Sequence, residues 1–553
     1  MIRARTLRPL RSTIAAGLVA ALAVMPSSSA HATVGPAATS PALIAAQPLA
    51  LLASDALDDV DAALLAWDLP AARAAMKRAP DTPQAKVKRG VVKLYEAEYT
   101  EAEALLAEVI AAGTLPEGSA ALEEATHYLG LSRGAQTALD QAIVVRSEDG
   151  NFEAVFASDE DALLAPYLFD AMKDARERIG AIIGVVPAHT VRFEFLDLAT
   201  KLALVTPLSV ENIRTTGTVG VTKYRRVMMI SPRIMVYGYG WLDTAVHEYV
   251  HYVLTMRTDN LAPVWLQEGL AKLLETRWRR TDPEPLSPTI AYRLHRAIVD
   301  DDLVTLSEMY PSVAMLPSAE RAALAYAEVE TMLGLLHERK GNEGIARLLD
   351  KVAAGEDAEA ALAHAWGDDF EAFMSEWKRV TKARTASGED GELSTPEFKD
   401  GKPAPEQFGD VFSELGGGVA RQHARLGALL QARDHDHAAA AQYEKARKAD
   451  KRARKDPTLA RRLGRLYVDL ERFAEAVPLL DIAAALDPEN ANLAAAQGRA
   501  RLRSGDRDGA SEALDRAIRN NPFIPTLHCD LAALAPTEAR KLAEQKLCDP
   551  KAR

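Results

Sequence analysis

The pentapeptide HEYVH at positions 247–251 has the residue types and the spacing that bind a divalent metal ion. On a helix, residues i and i+4 lie on one face, so His247 and His251 can both offer ring nitrogens to one ion. Glu248 then lies beside that ion without binding it. Two imidazole ligands, an open position for water and a nearby carboxylate are what a zinc hydrolase needs. The pentapeptide therefore predicts a zinc site with Glu248 as general base.

The residues around the pentapeptide predict two helices. An apolar stripe at helical spacing surrounds it, and Asp243 or Thr244 is expected to cap the first helix. A second helix is expected to begin at Pro263 and to carry Glu268. Sixteen residues separate His251 from Glu268, which is enough for a turn and an antiparallel return. Glu268 is therefore the predicted third ligand.

These two helices resemble the gluzincin metallopeptidases, and most closely the peptidase-MA-like domains. The pattern of those domains is H-E-x-x-H followed by Pro-x-Trp-Leu-x-Glu-Gly-x-Ala. The second part stands here as Pro263, Trp265, Leu266, Glu268, Gly269 and Ala271. The resemblance implies a Zn²⁺ cofactor and a peptide or protein substrate. In the zinc aminopeptidases, a tyrosine that follows the glutamate ligand stabilises the oxyanion formed during catalysis. Tyr326 follows Glu268 at about the same spacing. Tyr326 is thus a candidate catalytic residue, with simple core packing as the alternative.

An α+β domain, a small sheet plus helices, is predicted for residues 146–383. Alternation predicts a strand at 191–195, and an amphipathic pattern predicts a helix at 165–183. Two further strands are predicted at 218–222 and 226–230. The gluzincin resemblance implies that one edge strand pairs with an extended substrate, and 218–222 is the candidate for that edge.

Helical repeats are predicted on both sides of this domain. Near the C-terminus several residues recur after 34 positions, the period of the tetratricopeptide repeat (TPR): Gly464 and Gly498, Ala476 and Ala510, Leu480 and Leu514, Pro488 and Pro522. The offsets of 9, 12 and 16 residues that follow Gly464 also follow Gly90. Generic helical hairpins are the alternative in both regions. The expected fold class is an α+β metallopeptidase domain flanked by all-α TPR-like regions, whose repeats bind a substrate or a protein partner.

The predicted domain order is a signal peptide at 1–32, a flexible lead at 33–54, a TPR-like region at 55–145, the peptidase domain at 146–383, a linker at 384–419 and a TPR domain at 420–553. Because the linker is polar and rich in Gly and Pro, few contacts are expected between the repeats and the peptidase domain. Removal of the residues after about 420 is therefore expected to leave that domain folded.

The N-terminus predicts export to the periplasm or the medium. Four arginines precede an apolar run at 14–25, and Ala30-His31-Ala32 fits a signal cleavage site. An uncleaved anchor is the alternative, although twelve apolar residues are too few to span a bilayer. No other apolar run reaches eighteen residues, so no membrane span is expected after cleavage. Cys529 and Cys548 either form a disulfide or remain buried thiols.

Composition and charge narrow the function classes. The chain of 553 residues is 48% hydrophobic and 26% charged, as in ordinary globular proteins. Its net charge of −12 becomes −16 without the four arginines of the signal, which argues against nucleic acid as a partner. The competing function is a TPR-based scaffold for peptides or proteins with a catalytically idle metal domain. Glu248 argues against it, since a structural metal site has no use for a base.

Overall fold

The computed structural model describes residues 47–313, 316–388, 415, 418–449, 451–485 and 487–549. The predicted signal peptide and residues 389–414 of the predicted linker lie outside this part. Within it, no helix is both long and apolar enough to cross a membrane. The chain folds as two compact units. Unit 1 comprises Met1–Tyr128, Glu177–Val186 and Val250–Leu393, and unit 2 comprises Leu129–Arg176, Pro187–Tyr249 and Ser394–Arg553.

Helical hairpins form the N-terminal region, as predicted. Its helices are α1 (Gln47–Leu65), α2 (Leu69–Arg78), α3 (Pro83–Tyr95), α4 (Tyr99–Ala111) and α5 (Ala120–Ala138). Helix α1 already begins inside the stretch expected to be a flexible lead, because Leu and Ala dominate there and Pro48 is tolerated in a first turn. Helices α3 and α4 approach so closely that a Cβ at Gly90 would lie 2.6 Å from Leu106 Cγ.

A five-stranded mixed sheet lies in unit 2. Its strands are β1 (Ile143–Arg146), β2 (Phe152–Phe156), β3 (Val191–Leu196), β4 (Gly220–Lys223) and β5 (Arg226–Ile230). Their order is β1-β2-β3-β5-β4, with β2, β3 and β5 parallel and the two edge strands antiparallel to their neighbours. Every residue of β5 is buried, as expected of a central strand covered on both faces.

The sheet agrees with the three predicted strands and contains two more. Strands β3 and β5 lie where they were predicted, β4 begins two residues later and ends one residue later than predicted, and the helix before β3 has the predicted bounds. The hairpin of β1 and β2 was not predicted. Since β1 begins at Ile143, the sheet starts slightly before the expected domain boundary at 146.

Nine helices in the described residues follow the sheet hairpin and reach the predicted linker. They are α6 (Ala165–Ile183), α7 (Ala199–Val205), α8 (Val210–Thr216), α9 (Trp241–Arg257), α10 (Val264–Leu274), α11 (Pro288–Asp300), α12 (Ala319–Ala353), α13 (Ala358–Trp366) and α14 (Phe370–Arg384). Gly269 permits a close approach of α10 to α12, because a Cβ there would lie 2.7 Å from Leu333 Cδ1 and 2.9 Å from the Val329 carbonyl oxygen.

The C-terminal region is a run of helical hairpins. Its helices are α15 (Val419–Gln431), α16 (Asp436–Ala449), α17 (Lys451–Lys455), α18 (Pro457–Asp469), α19 (Phe473–Ala484), α20 (Ala491–Arg503), α21 (Arg507–Asn520), α22 (Pro525–Leu534) and α23 (Glu538–Leu547). The offset of 16 residues found in the sequence is a packing contact: Cβ atoms at Gly464 and Gly498 would lie 2.9 Å and 2.5 Å from Cδ2 of Leu480 and Leu514.

A disulfide joins the last two helices. Cys529 on α22 and Cys548 after α23 are bonded, with their Cα atoms 4.7 Å apart. This excludes the alternative of two free thiols. The bridge closes the hairpin formed by α22 and α23.

The C-terminal helices pack against the rest of unit 2. The Tyr167 hydroxyl on α6 donates to Glu544 Oε1 on α23 at 2.9 Å. The Trp241 indole at the start of α9 donates to the Ile518 carbonyl on α21 at 2.9 Å. The expectation of few contacts between the repeats and the peptidase domain was therefore wrong, because the linker composition says nothing about the surfaces that it connects.

Candidate metal centre

Two helices bring the predicted metal ligands together. His247 and His251 lie one turn apart on α9, and Glu268 lies on α10. One ligand atom from each of the three residues lies within 4.8 Å of the others. His251 Nε2 is 3.5 Å from Glu268 Oε2. Two ligand atoms that bind one zinc ion at about 2.0–2.1 Å in a tetrahedral site lie about 3.3 Å from each other. The distance between His251 Nε2 and Glu268 Oε2 is therefore close to one edge of such a tetrahedron.

Burial also fits a metal centre. His251 is 3% exposed and Glu268 is 5% exposed, while His247 is half-buried. Two imidazoles and one carboxylate are the donor set of catalytic zinc sites, which keep a further position for water. The residues present therefore fit a divalent ion such as zinc.

Helix α9 begins earlier than the sequence indicated. Neither Asp243 nor Thr244 caps it: the helix starts at Trp241, and Asp243 lies in its first turn. The Thr244 amide donates to the Gly240 carbonyl at 2.8 Å. The glycine-containing turn before the helix therefore supplies its first acceptor, which made a side-chain cap at the later position unnecessary.

Strand β4 holds Glu248, the predicted general base. The Thr222 hydroxyl lies 2.7 Å from Glu248 Oε2 and 2.8 Å from the Glu248 carbonyl oxygen, both of which can accept its one proton. A Cβ at Gly220 would lie 2.8 Å from Glu248 Oε1, so only glycine leaves room for the carboxylate. The carboxylate is therefore fixed between the edge strand and its own helix.

Tyr239 lies in the segment that leads into α9, and it is fully enclosed. Burial raises its pKa well above the usual value, and the negative charge of Glu248 raises it further. The neutral hydroxyl donates to the Ile230 carbonyl at 2.5 Å, and the Tyr239 amide donates to the Asn520 carbonyl at 3.0 Å. Tyr239 thus links the end of β5 and the last turn of α21 to the start of the metal helix.

Tyr326 lies on α12, the helix that packs against α10 beside Glu268. It is half-buried and stands one turn before Val329, whose carbonyl oxygen meets Gly269. This puts Tyr326 on the α12 surface that faces α10, although it is not one of the three grouped ligands. Its catalytic role stays a prediction.

Comparison with protein-family models agrees with this geometry. Residues 173–383 match the model for the Peptidase MA superfamily, and residues 461–525 and 495–544 match a tetratricopeptide repeat model. The chain carries a Peptidase MA superfamily domain and tetratricopeptide repeats. The match suggests a peptidase, and the Peptidase MA superfamily is generally metal-dependent. A peptidase domain implies a peptide or protein substrate, and repeats of this kind typically mediate protein interactions. No curated protein matches the chain.

Sequence reasoning missed the residues of this Peptidase MA domain that position the base. Thr222 was expected only as part of a substrate-binding edge, not as a donor to Glu248. A signal was present at Gly220, because a glycine inside a strand often marks the close approach of another group. The role of the Ile518 and Asn520 carbonyls had no such signal, since every residue has a carbonyl and its partner depends on the tertiary fold.

Proposed function

We propose that the chain is an exported zinc metallopeptidase of the gluzincin type, with His247, His251 and Glu268 as the ligands. The observation that carries the proposal is the grouping of the three ligand atoms within 4.8 Å, one residue from a buried glutamate that is not part of the group. A bound zinc ion supplies Lewis-acid activation of water and of the substrate carbonyl.

Glu248 acts as the general base through one defined atom. Because Thr222 approaches Oε2, Oε1 accepts the proton from the attacking water. Glu248 then returns this proton to the leaving amine. Tyr326 is proposed to donate a hydrogen bond to the developing oxyanion.

Strand β4 is proposed to bind the extended substrate. It is an edge strand, paired on one side with β5, and in the described residues no strand pairs with its other side. A peptide added there would run along the strand that fixes Glu248, which places a scissile bond near the base. The repeats are proposed to bind further parts of the substrate or a protein partner.

Two features support export. The N-terminal sequence has the charge, the apolar run and the cleavage pattern of a signal peptide. The Cys529–Cys548 disulfide is typical of proteins that fold in an oxidising compartment. Mass spectrometry of the protein from its native compartment is expected to find Thr33 as its first residue.

The test of the proposed chemistry compares two glutamine variants. Glu248→Gln keeps an oxygen that accepts from Thr222 but removes the base, so zinc content and melting temperature should stay near wild type. Peptide cleavage should fall by a factor of about 100 to 10,000. Glu268→Gln should lose zinc as well, since an amide is a poorer ligand than a carboxylate.

Zinc content and cleavage of a peptide library are measured side by side on both variants. Loss of zinc from Glu248→Gln with retention in Glu268→Gln would reverse the assigned roles. A zinc-loaded wild type that cleaves nothing in the library would favour the scaffold function.

A further inference from the structure

Unit 1 contains a cavity that none of the predicted metal ligands lines. It encloses about 800 Å³ between the end of α10, the proline-rich segment that follows, α12 and the end of α14. This volume lies within the range of small-molecule sites, about 300–1,000 Å³. Glu248 does not line it either. Its apolar walls include Leu273, Pro283, Pro285, Leu286, Leu335 and Val380.

One charged group in the wall of this cavity is buried without a close ion-pair partner. Arg277 follows α10, lines the cavity and is only 6% exposed. Within the described residues no carboxylate lies at ion-pair distance from its guanidinium, and its Nε makes no hydrogen bond. Burial lowers the pKa of Arg277 below its usual value, and Asp282 only partly opposes this.

Other deeply buried charges of the chain show what is missing at Arg277. Arg226, 1% exposed, lies 3.3 Å from Glu194, so its charge has an ion-pair partner although in the described residues its Nε and Nη2 make no hydrogen bond. Asp161 lies 2.8 Å from Arg233, and Asp530 lies 2.8 Å from Arg499. These charges sit in packed protein, whereas Arg277 borders a cavity. The difference indicates that the partner of Arg277 is supplied by a ligand.

The remaining charges in the wall restrict the class of ligand. Arg384, the second basic group, is already held by Glu338 through Nη2 at 2.8 Å and 3.0 Å. Burial raises the pKa of Glu330 to about 7, so near neutral pH this carboxyl is only partly ionised and repels an anion less than an ordinary glutamate does. Asp282 and Glu284 at the cavity oppose a multiply charged group such as a phosphate. A single carboxylate fits best.

We propose that this cavity is a binding site for a small monocarboxylic acid with an apolar body, whose carboxylate pairs with Arg277. The planar guanidinium can donate two parallel hydrogen bonds to one carboxylate. The site is separate from the peptidase chemistry, and its test does not depend on cleavage.

The test uses two probes of the same shape, 4-phenylbutyrate and the uncharged 4-phenylbutyramide, titrated into the full chain by calorimetry. Wild type should bind the carboxylate at least tenfold more tightly than the amide. Arg277→Met should abolish this preference and leave amide binding unchanged. It should also raise the melting temperature by about 2–4 °C, because it removes a buried charge without a close ion-pair partner.

Two further variants serve as controls for this test. Arg277→Gln removes the charge but keeps a polar group, in case the methionine variant does not fold. Arg384→Met alters the paired arginine of the same cavity and should keep the preference. A carboxylate that bound at the metal centre would keep its preference in both Arg277 variants, which overturns the proposal. Equal binding of the two probes, or no binding at millimolar concentration, overturns it as well.

Discussion

The N-terminal and C-terminal helical regions share one packing device but contact the metal helix differently. In both, a glycine and a leucine sixteen residues later bring two antiparallel helices together: Gly90 meets Leu106, and Gly464 meets Leu480. The N-terminal region reaches α9 through Trp67, whose ring lies 5.0 Å from the ring of Tyr252. The C-terminal region contacts the start of α9, where the Trp241 indole and the Tyr239 amide donate to the Ile518 and Asn520 carbonyls.

This difference separates apolar packing from directional anchoring. A ring contact such as Trp67 with Tyr252 tolerates small shifts, because dispersion and burial are not directional. Hydrogen bonds from the Tyr239 amide and the Trp241 indole fix both the distance and the direction of the first turn of α9. We therefore expect the C-terminal repeats, and not the N-terminal helices, to set the position of the metal helix.

Truncation should produce the largest contrast between the two regions. Removal of residues 420–553 leaves Tyr167, Tyr239 and Trp241 without their partners, at a net cost of about 0.5–1.5 kcal/mol each because water then reaches these donors. Together with lost burial, this approaches the whole stability of a domain, about 5–15 kcal/mol. The truncated chain should therefore lose its cooperative unfolding transition and its zinc.

The comparison for this truncation is a chain without α1 and α2, which loses the Trp67 contact but no hydrogen bond to the start of α9. It should keep a cooperative transition at a lower temperature, measured by circular dichroism. If the chain that ends near residue 419 unfolds at the same temperature as the full protein, the repeats do not contribute to the stability of the remaining chain.

Local sequence patterns predicted much of the fold. The i, i+4 histidines, the 34-residue repeat and the alternation in β3 each depend on periodicity, which the sequence states directly. The β1–β2 hairpin was missed although Asp149-Gly150 is a common turn pair, because β1 has only four residues, three of them exposed. Such a strand has no alternation to detect.

The metal ligands were predictable for the same reason, and their surroundings were not. His247, Glu248 and His251 are placed by one helix, and Glu268 by the next. Thr222 reaches Glu248 across 26 residues of sequence, and Ile518 reaches Trp241 across 277. The sequence contains no period that relates such pairs, because they depend on how whole elements pack.

A methyl group at the anchoring contact should have the next largest effect. Gly238 has a φ of 75°, and a Cβ there would lie 2.2 Å from the Asn520 carbonyl oxygen. Gly238→Ala must therefore displace α21 or the turn before α9, at a cost of about 2–4 kcal/mol beyond the backbone strain alone. Denaturant unfolding monitored by far-ultraviolet circular dichroism measures the loss.

Gly505→Ala is the matched control for this substitution. Gly505 has a φ of 91° in the same unit, and no atom lies within 4 Å of its added Cβ. It reports the strain of a left-handed alanine alone, about 1 kcal/mol. Equal losses in the two variants would mean that the contact between Gly238 and Asn520 does not hold the repeats in place.

The smallest and most specific contrast comes from the same substitution at the two contacts, Trp241 with the C-terminal region and Trp67 with Tyr252. Trp241→Phe keeps an aromatic ring against Phe195 but removes the indole donor, which leaves the buried Ile518 carbonyl without its partner. The expected cost is about 1–3 kcal/mol. Trp67→Phe removes only ring area, since in the described residues the Trp67 indole makes no hydrogen bond, and should cost less than about 1.5 kcal/mol.

Zinc affinity of these two variants, measured by competition with a chelator, separates anchoring from general stability. If the hydrogen bond from Trp241 positions the start of α9, Trp241→Phe should weaken zinc binding because His247 lies less than two turns further along that helix. Trp67→Phe should leave zinc affinity unchanged even though Tyr252 adjoins His251. The ring contact contributes buried area but does not fix the direction of the helix. Equal zinc affinities and equal losses of stability in the two variants would contradict this distinction. The hydrogen bond from Trp241 would then position α9 no better than the ring contact of Trp67, and the C-terminal repeats would not set the position of the metal helix.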